Sequence, residues 1–284
     1  MINIDDKVIN DIKSGFNLPP KPELLEQLQA AIKQPEPELT YIAELIATDL
    51  STSAAVLKVI NSPAYGMSRT VTDIKQAVMF LGLDSVTQLV TSCLLQQSFE
   101  QNTCCISLER FWDTSSEIAA IATLIGKKIK SQVPAENLHM LGLFHDAGIP
   151  AMAVKYPDYV KVLDIANNSL DTPLTQFEEQ AYNTDHTIVG YFLASGWHLP
   201  KPICHLILRH HDLEFLLEPH DQESLLSYAT LKMAENLVHT QKRFRDTPDW
   251  LHIKSHVLNT LELDDDDYQD ILEDVADYFQ ERFS

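Results

Sequence analysis

The sequence predicts an all-α protein, and three observations carry that reading. Apolar residues recur at the three-to-four-residue spacing of a helix that faces a core. The segments with this spacing are punctuated by proline, glycine and small polar residues of the kinds that start and stop helices. No run alternates between apolar and polar residues for long enough to argue a sheet.

The elements follow in order. LPPKPELLEQLQAAIKQPEPEL is an amphipathic helix between prolines, with Pro22 suited to its first turn and QPEP ending it. TYIAELIATDL puts Ile42, Leu45 and Ile46 on one face, with Thr40 as its cap. STSAAVLKVINSPAYG is a short helix capped by Ser51 and stopped by Asn61, Ser62 and Pro63. In VTDIKQAVMFLG, Asp73 stands three residues before Gln76, a capping box, and Gly82 suits the C-terminal cap. LDSVTQLVTSCLLQQSF begins at once, with Asp84 as its cap.

ISLERFWDTSSEIAAIATLIGKKI is a longer helix whose last turn carries Lys127 and Lys128, where positive charge complements the helix dipole. VPAENLHMLGLFHDAG has Pro134 in its first turn and stops near Gly148. TPLTQFEEQAYNTDHTIVGYFLASG keeps helical periodicity to Gly196, and LPKPICHLILRHHD restarts with Pro202 in the first turn. Beyond about Glu214, DQESLLSYATLKMAENLVHT, TPDWLHIKSHVLNTLEL and DDDDYQDILEDVADYFQERF supply two or three more helices. The aspartates at 264–267 begin the last one, where negative charge is favoured. No Gly/Ser-rich linker precedes Glu214, so the region after it is expected to pack on the helices before it.

At 284 residues and 45% hydrophobic, the chain can bury a substantial core. Forty-one acidic residues against 21 basic ones give a formal charge of −20. That field opposes non-specific binding to nucleic acid or an anionic membrane, and neither is expected as a partner. MINIDDKVINDIKSGF lacks a signal-peptide pattern, and charged or polar residues break the apolar stretches before they reach membrane-spanning length. A cytoplasmic protein is expected. Cys93, Cys104, Cys105 and Cys204 have no zinc-finger spacing, and adjacent cysteines are poor disulfide mates, so reduced thiols are expected.

The polar residues that stand out are histidines. His145 and Asp146 close LGLFHDAG, His186 lies in an apolar helix, and His210 and His211 end ICHLILRHH. Imidazoles and a carboxylate suit a borderline divalent ion. Each has a plainer alternative as a hydrogen-bonded core or capping residue. Adjacent helical residues diverge by roughly 100°, so both members of a pair reach one cleft only if it lies between their directions. Arg209, beside His210, is a candidate for a phosphate or an acidic partner, against the alternative of a solvated side chain. Asn61 and Tyr65 are candidates to face a ligand cleft, against turn formation and partial burial.

The segments NSPAYG and AVMFLG, then ERFWDTSSEIAAIATLIG, HDAG, EEQAYNTDHTIVGYFLASGWHLP and LRHHD, resemble in content and order the HDOD domain, over about residues 15–216. That family is related to the HD phosphohydrolases and occurs in bacterial signalling proteins. The resemblance implies an HD-domain-like helical bundle over about 105–215 with an additional N-terminal helical subdomain over about 15–100. Together these form an HDOD domain at 1–215, followed by a C-terminal helical extension at 216–284. It implies metal ligands at His145, Asp146, His186, His210 and His211, with Glu235 at the place of the late aspartate of catalytic HD sites. The first histidine of those sites matches Thr114, whose hydroxyl is a poor replacement for an imidazole on a borderline metal. Ile149 stands where active enzymes carry a lysine.

Two functional readings follow. One is a non-catalytic or weakly catalytic regulatory module that acts by binding a signalling protein or a small ligand. The other is a metal-dependent phosphohydrolase of a nucleotide or cyclic dinucleotide, with Asp146 at its catalytic centre. Iron, zinc, manganese or nickel is the candidate ion in either case. Thr114 and Ile149 favour the first.

Overall fold

In the computed structural model, which describes residues 15–16, 18–129, 133–169 and 172–283, every regular element is a helix. The N-terminal part consists of α1 (Glu23–Ile32), α2 (Leu39–Ala47), α3 (Leu50–Ile60), α4 (Ile74–Leu81) and α5 (Leu83–Gln97). Then come α6 (Leu108–Lys128), α7 (Ala135–Phe144), α8 (Gly148–Lys155), α9 (Tyr159–Asn168), α10 (Leu174–Tyr182), α11 (His186–Gly196) and α12 (Lys201–Arg209). The C-terminal part holds α13 (Gln222–Arg243), α14 (Trp250–Thr260) and α15 (Asp265–Phe283).

The helices α1 and α3 pack on α5, and α2 packs on α4. Helix α5 then leans on α7, which joins the N-terminal part to the second bundle. There α6 and α7 form an antiparallel pair, α13 lies across both, and α11 packs against α8 and α12. One continuous apolar cluster includes Leu28 of α1, Val90 of α5, Ile121 of α6, Phe144 of α7, Leu237 of α13 and Ile271 of α15. A smaller cluster gathers Phe16, Ile149, Met152, Tyr159 and Val189.

Several helix starts differ from the sequence reading. The cap of α2 is Glu38 rather than Thr40. That of α3 is Asp49, whose carboxylate accepts from the Thr52 N–H, rather than Ser51. Gly82 ends α4 and also begins α5, so Asp84 lies inside the first turn instead of capping it. Pro22 and Pro134 stand just before their helices, at the capping position, rather than within the first turn. Helix boundaries shift by one or two residues between equivalent readings, and among these starts only that of α3 has a side-chain cap hydrogen bond. Asp73 does cap α4, accepting from the Gln76 N–H at 2.8 Å.

Two larger differences lie near the histidines. LGLFHDAG does not end a helical region. It turns tightly after Phe144 and α8 starts at Gly148. The long segment up to Gly196 is two helices, broken where Asn183 takes a left-handed conformation (φ 53°). His186 therefore opens α11 rather than lying inside a helix.

Two glycines fix how closely these helices approach. A Cβ on Gly142 would stand 2.6 Å from the Ala119 Cα of α6, and one on Gly148 would stand 1.9 Å from the His186 carbonyl oxygen. Both obstacles are backbone, so no side chain can give way. Gly148→Ala is expected to destabilise the fold by about 3 kcal/mol, the upper part of the usual range for overpacking. Urea unfolding at unchanged m-value reads this. A loss below about 0.5 kcal/mol, ordinary for a neutral surface change, would mean that α8 and α11 slide apart freely.

Candidate metal centre

The turn between α7 and α8 places the first two residues. His145 caps α7, donating its N–H to the Leu141 carbonyl at 2.9 Å, and the Ile149 N–H returns to the Asp146 carbonyl at 2.8 Å. The His145 ring is buried and its Nδ1 donates to the Gly142 carbonyl at 2.8 Å. A carbonyl only accepts, so Nδ1 carries the proton and Nε2 is left facing inward. That Nε2 lies 3.2 Å from Asp146 Oδ2 and 3.5 Å from Glu235 Oε1, yet makes no hydrogen bond.

His186 arrives from the start of α11. Asp185 caps that helix through the Thr187 and Ile188 N–H groups. Glu178, wholly buried on α10, accepts through Oε2 from the His186 backbone N–H at 3.1 Å and from its Nδ1 at 2.7 Å. The Tyr159 hydroxyl donates to the other Glu178 oxygen. Nε2 of His186 is thereby aimed at Asp146 Oδ1, 3.2 Å away.

His210 and His211 follow the end of α12, so the wide divergence of neighbours on a helix does not keep them apart. His210 Nδ1 donates to the Ile207 carbonyl at 2.8 Å, and its Nε2 sits 3.3 Å from Asp146 Oδ1. His211 Nδ1 bonds Asp249 Oδ2 at 2.8 Å. The same Asp249 oxygen accepts from buried Lys232 at 2.7 Å, and Lys232 pairs with Glu235 Oε2 at 2.7 Å.

Donor atoms of Asp146, His186, His210 and His211 all lie within 4.8 Å of one another. Asp146 Oδ1 and the two Nε2 atoms of His186 and His210 form a nearly equilateral triangle with sides of 3.2, 3.3 and 3.4 Å. Ligands about 2.0–2.1 Å from one tetrahedral ion are separated by about 3.3 Å. The triangle therefore has the spacing of one face of such a coordination sphere. Each of the four imidazoles also has its Nδ1 held by a carbonyl or carboxylate, the outer arrangement that orients metal-ligating histidines. The residues fit a divalent ion, and the side chains of Asp146 and His211 keep 26% and 21% exposure, while those of His186 and His210 are wholly buried.

Electrostatics follow from the same contacts. Burial opposes the charge on Asp146, but His145 and the other imidazoles outweigh it and hold the carboxyl well below its ordinary range. Burial also opposes protonation of His186, and Glu178 and Asp146 overcome it, raising that histidine well above normal. His210 goes the other way: burial and the neighbouring His211 push it down to about 3. Glu235 is lowered against burial by Lys232 and His145.

The sequence reading thus named five residues that the fold gathers, and Glu235 lies beside them. It missed Glu178, Lys232 and Asp249. Arg209 needs correction, because it is neither solvated nor open to a phosphate. It is 5% exposed, its Nε donates to Asp212 at 2.9 Å, its Nη1 donates to Glu218 at 2.7 Å, and its guanidinium lies over the Phe215 ring. The chain's own carboxylates saturate it. Asn61 takes the turn-forming role, since its side chain donates to the Val71 carbonyl and accepts from the Val71 N–H, both at 2.8 Å. Tyr65 is buried edge-on against His139. Thr114 is half-buried on α6, donates to the Arg110 carbonyl at 3.1 Å and accepts from Lys242 at 2.8 Å. Ile149 packs in the smaller apolar cluster.

Glu178→Gln tests the outer arrangement. The amide keeps the shape but weakens the hold on His186 Nδ1. It is expected to lower divalent-metal affinity by about 10–100-fold, the usual effect of losing such a partner. Competition with a chromophoric chelator measures this. Unchanged affinity would remove His186 from the ligand set.

Asp146 is thus surrounded by four imidazoles within an all-helical bundle. The model of the HDOD domain family matches residues 18–213, and the chain belongs to that family. An HDOD domain protein of unknown function from Geobacter sulfurreducens is 24% identical with a TM-score of 0.70, covering 96% of this chain and 93% of that one. A protein of Shewanella amazonensis SB2B, named a candidate metal-dependent phosphohydrolase, is 20% identical with a TM-score of 0.67 and 96% coverage of both chains. An uncharacterized protein of Treponema pallidum (strain Nichols) is 26% identical over 215 residues, which are 74% of this chain and 40% of that protein. The chain therefore spans less than half the length of that curated relative.

Proposed function

We propose that this chain is an HDOD regulatory module that holds a divalent ion on Asp146, His186 and His210, with His211 and His145 beside it, and acts by binding rather than by hydrolysis. The observation that carries the metal is the triangle of Asp146 Oδ1 and two imidazole nitrogens at 3.2–3.4 Å. The ion, when bound, supplies fixed positive charge at the bundle's centre. His145, His211 and Glu235 adjust that charge, and Glu178 and Asp249 keep the rings in place. The partner in this reading is a signalling protein or small ligand in the cytoplasm. The division into an N-terminal subdomain, an HD-like bundle to about residue 215 and a packed extension is part of the same proposal. No helix among the described residues is long and apolar enough to cross a membrane.

Thr114 supports the non-hydrolytic choice, because its hydroxyl is engaged with Arg110 and Lys242 and it offers no imidazole. The exposed edge of Asp146 favours the second reading, a metal-dependent phosphohydrolase, since substrate could reach the ion there. Metal analysis followed by phosphate-release assays with manganese, iron, zinc and nickel separates them. The expected result is bound metal with no turnover on nucleotides or cyclic dinucleotides. Saturable turnover above about 1 s⁻¹, the low end of ordinary enzyme rates, abolished by Asp146→Ala, would replace the regulatory reading with the enzymatic one.

A further inference from the structure

A cavity of about 630 Å³ opens between the N-terminal helices and the α6–α7 pair, and none of the metal-centre residues lines it. Ligand pockets span roughly 300–1,000 Å³, so it has room for a small organic molecule. Its walls come from α3, the Ser62–Pro63–Ala64 turn, α5, α6, α7 and Tyr278 of α15.

Its polar groups are unusual. Ser92 Oγ, Trp112 Nε1 and His139 Nδ1 belong to lining residues, are buried, and have no hydrogen-bond partner. The Tyr65 hydroxyl, whose ring meets that of His139, is a fourth such group. A buried polar atom left unpaired costs about 1–3 kcal/mol, and four in one neighbourhood call for a common explanation. None of the four faces the cavity directly, so a ligand would pair them only as their side chains turn toward it. His139 is neutral, since burial pushes it down to about 4, so it offers one donor and one acceptor. Burial likewise keeps the Cys93 thiol protonated. The charged residues of the wall, Lys58 and Asp113, are exposed and opposite in sign. Nothing there selects an anion.

We propose that this cavity binds a neutral, planar heterocycle of the nucleobase or nucleoside class. Such rings alternate donors and acceptors along their edges, as Ser92, Trp112 and His139 require. Their apolar faces suit walls built from Val59, Ala64 and Leu143. A sugar would extend to the rim, where Lys58 and Asp113 stand. The proposal deepens the small-ligand side of the reading above and uses none of its metal ligands.

Calorimetric titration of the full chain with adenosine, guanosine, cytidine and uridine tests it. Saturable binding of at least one is expected, weakened by about three- to ten-fold in Trp112→Phe through loss of one neutral hydrogen bond. Ala55→Phe, from a half-buried wall position, and Lys58→Trp, from the exposed rim, should each fill the cavity and abolish binding. Either suffices if the other fails to fold. Wild-type protein should bind the nucleoside equally with and without a divalent-metal chelator, so failure of the metal reading leaves this result intact. No saturable binding by any of the four at millimolar concentration would overturn the proposal. So would binding that survives the cavity-filling variants, which would place the ligand elsewhere.

Discussion

Asp146→Ala is expected to lower divalent-metal affinity by more than the ~10–100-fold that follows loss of an outer partner. Asp146 is the hub of the centre: one carboxylate oxygen faces His186 and His210 at 3.2 and 3.3 Å, and the other faces His145 at 3.2 Å. Alanine removes the anionic donor and leaves imidazoles alone to offset the ion's charge. A thermal melt shows the effect without any assumption about activity. A ligand present at 1,000 times its Kd stabilises the folded state by about 4 kcal/mol. Wild-type protein should therefore melt higher when zinc or manganese is added, and Asp146→Ala should not respond. An equal rise in both proteins would place the ion away from this centre.

The largest expected loss of stability comes from Lys232→Met. Lys232 is 3% exposed and sits in the middle of α13, where its ammonium pairs with Asp249 and Glu235, each at 2.7 Å. Burial opposes its charge, but Asp249 and Glu235 outweigh that opposition and raise its pKa. Methionine fills similar space and leaves two carboxylates buried without their cation. Breaking a buried pair in this way costs about 3–5 kcal/mol. Urea unfolding measures it. Adding Asp249→Asn should recover part of the loss, because one of the stranded charges goes with it. A single-variant loss under about 1 kcal/mol would show that the two carboxylates find other partners.

The centre was half legible in the sequence, and the division follows from chemistry. Histidines clustered on apolar helices announce themselves, because few residues combine a ligating nitrogen with burial. Glu178, Lys232 and Asp249 look like ordinary solvated residues until the fold buries them. Their burial is decided by which helix faces they meet, and a lone acid or lysine carries no periodic signature of that. The Lys232–Glu235 spacing of three residues was the one available hint. Arg209 misled for the same reason, since its partner Glu218 approaches only after the chain turns through residues 215–217. The helices themselves were readable because each repeats its apolar spacing over several turns. Their exact starts were not, since Thr40, Ser51 and Asp84 all look able to cap, yet of these three helices only α3 starts on a residue whose side chain does, Asp49. The break at Asn183 was hidden because apolar spacing on both sides suggested one helix.

The outward anchoring of each imidazole has a further consequence for how the chain opens. Asp146, His186 and His210 lie far apart in sequence, so an ion seated among them would tie residues 146 to 210 into two closed loops. Such a tie removes conformations from the unfolded chain, as a cross-link does. Backbone amides of α8, α9 and α10, which lie within the first loop, would exchange with solvent by local opening when the tie is absent and more slowly when it is present. Loading the centre would then act as a latch on the face of the bundle that carries these three helices, and its release would reach surface well beyond the ion itself.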